Sequence, residues 1–286
     1  MNKRNLEEKI FMILMITSVL VVVGSLILIV GVIIFNGASS LSIEMLTQSS
    51  GNRFYLGEGG GGILNAIIGS LLLALPATAF AFLIGLFIAI YLQRDFSHPG
   101  ISNFIRLFLD ILWGIPSIVY GIFCMTIMIA IGMGGSLLFG IIALTLLEIP
   151  IITRSIDESI KMVPRGLKES AYSLGSTKFE TAIKVVRKQA MPGIIAGVLL
   201  GFGRGIGDAA SILLTVGDSV GINYIPTSVF DKTATLPMMI LNLLGSPDQN
   251  VQKKAYAVAF ILLIIVLLIS IVSRSLIKKS TKYIIK

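Results

Sequence analysis

The chain has 286 residues, 55% hydrophobic and only 13% charged, with a mean hydropathy of +0.93. Soluble domains carry about 25% charged residues, so this composition excludes an ordinary soluble fold and points to a polytopic membrane protein. The formal net charge of +8 would suit a nucleic-acid binder, but the basic residues are distributed as membrane topology requires; the single cysteine excludes an internal disulfide and a Cys-rich metal site, and no Ser/His/Asp or Cys/His constellation surrounds the single histidine.

Apolar runs able to cross a bilayer, about 20 residues each, are expected near Ile10–Phe35, Ile63–Leu92, Phe104–Ile131, Leu137–Ile152, Pro192–Val216 and Ala255–Ser273. Six spans put both termini on one side. Of the 23 Lys and Arg residues, 18 fall on the side of the termini and the central loop; Arg53, Lys232, Lys253 and Lys254 fall on the other, and Arg204 lies inside a span. The positive-inside rule therefore places both termini and the central loop in the cytoplasm of a multi-pass plasma-membrane protein, with lipid and not nucleic acid as its surroundings. The first run exceeds the roughly 7–15-residue core of a cleavable signal peptide and reads as an uncleaved signal-anchor.

Between the first two spans, Asn36–Gly62 ends in Gly57-Glu-Gly-Gly-Gly-Gly62. No Lys-Ser or Lys-Thr completes a phosphate-binding loop there, so the segment reads as a flexible connector. The same motif is missing along the whole chain, which leaves ATP to another protein. His98 falls in a tight turn before the third span and has no partner at metal-ligand spacing. Arg106 and Asp110 stand at i, i+4 and are expected to pair. Cys124 sits in an apolar run and is expected to pack. Glu148, just before Pro150, is expected to reach water at the end of the fourth span.

The polar island Arg154–Pro192 follows. Pro164 suits a first helical turn and Gly175 the left-handed position that closes a helix. Leu167, Ala171 and Leu174 place an apolar stripe on that helix. Thr177 and Glu180 have capping-box spacing, so a second helix starts at once. A helix–glycine–helix elbow is a shape that docks a partner.

The fifth span contains Arg204 and Asp208, four residues apart and so expected on one helix face. An intramembrane arginine is costly and normally faces a cavity or a partner. Two readings are open: a self-neutralising pair, or an anion site whose guanidinium fork fits a tetrahedral oxyanion. Ser117 and Thr215 are candidate pathway hydroxyls, as is Tyr120. Gly197, Gly201 and Gly205 form one small-residue row and Gly203 with Gly207 another, which suits close approach of a second membrane subunit. Beyond the span, Thr235–Gly245 is too short to cross; it is expected either as an interfacial or re-entrant segment or as a surface receiving a partner from outside.

Several of these segments carry a resemblance. Glu169-Ser170-Ala171-x-x-x-Gly175 resembles the EAA-x3-G signature of the cytoplasmic loop in permeases of binding-protein-dependent ABC importers. Val185 fits that pattern's continuation, but Arg187-Lys188 stands where Leu-Pro is usual. Gly203-Arg-Gly-Ile-Gly-Asp-Ala-Ala210 with Leu213-Leu-Thr215, Ile115-Pro-Ser-Ile-Val-Tyr-Gly121, Val163–Ala171, Leu236-Pro and Ser246-Pro-Asp248 are similar to segments of phosphate importer permeases, with Asp208 in place of the family's glutamate. Gly62–Ser70 favours the PstA-type subunit. The resemblance implies an all-α membrane protein of the type I (MetI-like) importer fold. It implies a single permease domain over 1–286, with a core near 61–273 and a coupling loop near 153–191. It further implies phosphate passage at Arg204 and Asp208, and ATPase coupling through Glu169, Ser170, Ala171 and Gly175. The implied partners are a PstC-like second permease, a dimer of ATPase subunits using ATP with Mg, and an extracytoplasmic phosphate-binding protein. Permeases for sulfate, molybdate or tungstate, an ion-coupled secondary carrier and a sensory subunit are the alternatives.

Overall fold

A computed structural model describes residues 3–56 and 60–281, and every regular element among them is helical. Residues 57–59 of the glycine run and Lys282 and Lys286 of the basic tail lie outside the described residues. In chain order the helices are α1 (Lys3–Ser39), α2 (Ile43–Thr47), α3 (Asn52–Tyr55), α4 (Leu64–Tyr91), α5 (Pro99–Gly114), α6 (Ser117–Ala130) and α7 (Leu137–Lys161). There follow α8 (Arg165–Ser173), α9 (Lys178–Glu180), α10 (Arg187–Ile206), α11 (Ala210–Thr215), α12 (Leu236–Leu244) and α13 (Gln249–Thr281), with a π-helical stretch, Thr181–Val186, between α9 and α10.

Five segments are long and apolar enough to cross a membrane: Glu7–Ser39, Leu64–Tyr91, Leu137–Lys161, Lys178–Ile206 and Gln249–Lys278. The sixth expected span, Phe104–Ile131, is broken: α5 and α6 meet at a bend of 96°. The cause is local. A residue before proline is pushed out of the helical region, and Ile115 and Pro116 are both extended, with ψ of 130° and 140°. The phenol of Tyr120 donates to Leu112 O at 2.7 Å and satisfies a carbonyl that the break orphans. The fourth span does not stop near Ile152, since α7 continues through Pro150 to Lys161. The fifth begins earlier and ends earlier than expected: α10 runs through Pro192 to Ile206, and Gly207–Ala209 interrupt it before α11.

α4, α7 and α10 form the centre. Small residues let α4 approach its neighbours, and Ala66, Ala74, Ala77, Ala81 and Ala89 are all 0% exposed. α10 lies against α7 through glycines that descend as α7 rises. A Cβ at Gly193 would meet Ser159, at Gly197 Ser155, at Gly201 Ile152 and at Gly205 Glu148. The first glycine row is therefore consumed within the chain and is not free for a second permease. In lipid, where tails are as apolar as side chains, such close van der Waals contact is what holds helices together.

At the end of the molecule away from α8, the segment expected as a flexible connector is packed. Met45 and Phe54 are buried, and Ser42 caps α2 by accepting from Met45 N at 3.1 Å. α12 leaves Leu241 and Leu244 exposed and turns Leu236, Met239 and Leu243 into the protein, where they are fully buried. Hydrophobic contacts join these residues to α4 and α13. The loop after α11 supplies the acceptors that the first amides of α7 lack: Leu137 N donates to Asp231 O at 2.8 Å and Leu138 N to Val229 O at 2.7 Å. Backbone N–H groups of Ser228 and Thr227 in turn hold the Asp231 carboxyl below its ordinary range.

Candidate functional site

Arg204 sits near the end of α10 and is exposed. Among the described residues it has no ion pair, and Asp208 is not its partner. The expected shared helix face does not exist, because α10 ends at Ile206 and Asp208 lies in the interruption. Its carboxylate instead accepts hydrogen bonds from the backbone N–H of Ser211, at 3.0 Å, and from the Ser211 hydroxyl, capping the start of α11. Among the described residues, therefore, the Arg204–Asp208 pair is not formed and the guanidinium has no counter-charge.

The other candidates divide. Ser117 opens α6 directly after the break and is half-buried. Tyr120, one turn later, is buried, with its hydroxyl spent on Leu112 O. Gly121 draws α6 onto α11, where a Cβ would come within 2.8 Å of Ser211 Cα. Thr215, in contrast, is fully buried; its hydroxyl donates to Ser211 O at 2.9 Å and its carbonyl accepts from Ser136 N at 3.0 Å, so it is structural within this chain. Gly203 has open space around it, and Gly207 meets only carbonyls of its own helix. The second small-residue row thus lies beside Arg204 on the bare side of α10.

Two clusters near this helix were not legible in the sequence. Glu148 does not reach water: it is 0% exposed and lies against Gly205, and among the described residues neither carboxylate oxygen has a partner within hydrogen-bond distance. Its position beside a proline gives no hint of this, since depth follows from how far α7 continues. Asp157 is also 0% exposed and gathers Arg106 at 2.8 Å, Lys161 at 2.8 Å and Arg154 at 3.7 Å. The expected Arg106–Asp110 pair is not formed; Asp110 faces Arg154 at 3.3 Å, while Arg106 also donates to Leu92 O. The spacing of Arg154 and Lys161 about Asp157 is a helical signal, but Arg106 arrives from another helix and no local pattern announces it.

The elbow is narrower than 153–191, spanning the residues between α7 and the π-helical stretch. Pro164 caps α8 and is not its first residue. Gly175 has φ +82°, and the turn carries the two bonds of a Schellman close: Ser176 N to Ala171 O at 3.2 Å and Gly175 N to Tyr172 O at 2.9 Å. Thr177 and Glu180 form the expected capping box. Ala171 faces inward, whereas Glu169 and Ser170 are exposed. Leu174 departs from the expected stripe: it follows the helix, is 89% exposed, and stands with Phe179, 62% exposed, as an apolar pair on the outer surface. Burial and the nearby Asp95 carboxylate push the Tyr172 phenol above its ordinary value. His98 caps α5 by accepting from Gly100 N at 3.2 Å, and Cys124 packs with Met128, Phe139 and Ala143.

Residues 81–282 match the family described as binding-protein-dependent transport system inner membrane component. Among curated proteins, the phosphate transport system permease protein PstA of Yersinia pestis is 33% identical over 85% of this chain and 80% of its own length. Its counterpart in Mycobacterium leprae (strain TN) is 32% identical over 92% and 86%. The probable PstA of Methanocaldococcus jannaschii is 31% identical over 98% and 96%. Among solved structures, an inward-facing methionine ABC transporter superimposes with a TM-score of 0.62 at 20% identity, covering 77% of this chain and 96% of that one. An amino acid ABC transporter superimposes with a TM-score of 0.55 at 20% identity, over 76% and 92%.

Proposed function

The chain belongs to the binding-protein-dependent transport system inner membrane components, in the branch of the PstA-type phosphate permeases, and from that premise we propose that it is the transmembrane subunit of an ATP-driven phosphate importer. The observation that carries this reading is Arg204, an arginine within a span, exposed and without a counter-charge. Holding such a charge in a bilayer costs about 2.5–3.5 kcal/mol on insertion scales, so it is retained for a ligand or a partner. With Asp208 turned away to cap α11, the guanidinium fork is free for the oxygens of a tetrahedral anion.

A PstC-like second permease covers the bare side of α10, where Gly203 and Arg204 lie, and completes the pathway. One subunit of an ATPase dimer, binding ATP with Mg, docks on the elbow of Glu169, Ser170, Ala171 and Gly175, beside which Leu174 and Phe179 are exposed. An extracytoplasmic phosphate-binding protein delivers the anion on the opposite side. The elbow and both termini face the cytoplasm, as the Lys/Arg distribution requires. This chain itself transforms no substrate. ATP-driven closure of the ATPases displaces the elbow, and the helical run from α9 through the π-helical stretch to α10 carries that displacement to Arg204.

The test is uptake by the complex, purified through a tag on this chain and reconstituted in liposomes with ATP inside and binding protein outside. ATP-dependent phosphate entry that sulfate and molybdate do not compete, and that Arg204→Ala removes, is the expected result. Competition by sulfate or molybdate reassigns the anion; entry without ATP, or a purified complex lacking an ATPase, replaces the importer with an ion-coupled carrier.

A further inference from the structure

Beneath the elbow lies a cleft of about 480 Å³, inside the range of about 300–1,000 Å³ typical of small-molecule sites. Three parts of the chain build it. The corner after α4 contributes Arg94 and Asp95, the middle of α5 contributes Arg106, the end of α7 contributes Lys161, and α8 contributes Arg165, Lys168 and Glu169. Five cations thus face two carboxylates. Arg106 and Lys161 are engaged by the buried Asp157 behind the wall, and Lys168 makes a long contact with Asp95 at 3.7 Å. Arg94 and Arg165 are exposed and have no ion pair or hydrogen bond among the described residues. The surplus is therefore two guanidinium groups, brought by different elements to one concavity.

We propose that this cleft binds a phosphate-bearing anion, either free phosphate or the headgroup of an anionic phospholipid, with Arg94 and Arg165 as its principal donors. Guanidinium forks pair with phosphate oxygens two at a time, and donors arriving from separate elements suit a tetrahedral group better than a planar carboxylate. Because Arg165 and Lys168 ride on the elbow while Arg94 follows α4 and Arg106 lies on α5, the bound anion ties the elbow to the body of the chain. It adds to the existing tie from Lys178 Nζ to Asp95 O at 3.1 Å. The site is separate from Arg204 and does not depend on which species is transported.

The test reads binding without transport, on the full chain in nanodiscs and on an Arg204→Gln background that silences the pathway. In discs of phosphatidylcholine alone, equilibrium dialysis with radiolabelled inorganic phosphate is compared between that parent and Arg94→Gln/Arg165→Gln. The expected result is one phosphate per chain, bound about tenfold or more weakly by the double variant, the loss of a charged hydrogen-bond partner at each end. If free phosphate does not bind, native mass spectrometry of discs containing phosphatidylglycerol should find one retained lipid that the double variant loses, which assigns the headgroup as the ligand. Should the glutamine pair fail to fold, Arg94→Lys/Arg165→Lys keeps the charge and loses the forks, and is expected to bind more weakly than the parent. Equal phosphate and lipid retention in parent and variant overturns the proposal. So does a variant that loses only ATPase association, since the arginines would then serve a protein interface.

Discussion

Arg204 and Asp208 are spaced to meet on a helix, and they do not meet because the helix ends between them. This makes the two residues separable by experiment. Arg204→Ala should abolish uptake, and Arg204→Lys, which keeps the charge and loses the planar fork, should retain a small fraction. Asp208→Asn keeps an acceptor for Ser211 and is expected to lower uptake far less than Arg204→Ala. Equal loss from both would restore the paired reading. Glu148 offers a second residue-scale test. Its two oxygens are buried without a hydrogen bond among the described residues, a cost of about 1–3 kcal/mol, so Glu148→Met should leave the protein as stable or more stable in thermal melts. Gly205→Ala should destabilise by about 1–3 kcal/mol, because the new methyl meets the Glu148 carboxylate. Combining Gly205→Ala with Glu148→Ala should recover part of that loss. Strictly additive effects would mean that the two residues are not in contact.

At the scale of elements, the elbow turns on one backbone angle. Gly175 has open space where a Cβ would stand, so a substitution there acts through φ +82° and not through a clash. A left-handed L-residue costs about 1–2 kcal/mol. Gly175→Asp is expected to abolish uptake while the protein still inserts in the membrane. Gly166→Ala, inside α8 with equal space and an ordinary φ, should leave uptake intact and favour the helix. Uptake that survives Gly175→Asp removes the elbow from the coupling path. The π-helical stretch Thr181–Val186 ends directly before Arg187 and Lys188, and the backbone passes from it into α10 without a break. The capping box, the left-handed glycine and the α5–α6 break were all legible or explicable from three or four neighbouring residues. Leu174 was not, because apolar spacing identifies a stripe but does not reveal that the helix stops before its last member.

For the whole molecule, orientation is the open physical variable. In a Cys124→Ala background, Leu174→Cys should react with an impermeant maleimide only after the membrane is opened, and Val229→Cys in intact cells. The reverse pattern would invert the assigned topology. Both positions are exposed, so labelling reports sidedness and not burial. The glycine row is a lesson at this scale as well. Gly197, Gly201 and Gly205 announce close helix packing, but the partner is α7 of the same chain, while the side of α10 carrying Gly203 and Arg204 is left bare.

Composition, apolar run length and charge placement determined the class of protein and the side on which its charges gather, because each is set by the bilayer and needs no knowledge of neighbours. Local motifs determined the elbow, because caps and left-handed turns are closed by residues a few positions apart. The tertiary structure alone decided which residues face each other: Asp157 with Arg106, Glu148 with Gly205, and Asp208 with Ser211 in place of Arg204. Those pairings depend on where helices end and how they cross, and that is fixed by packing among distant segments, which no spacing along a single chain records.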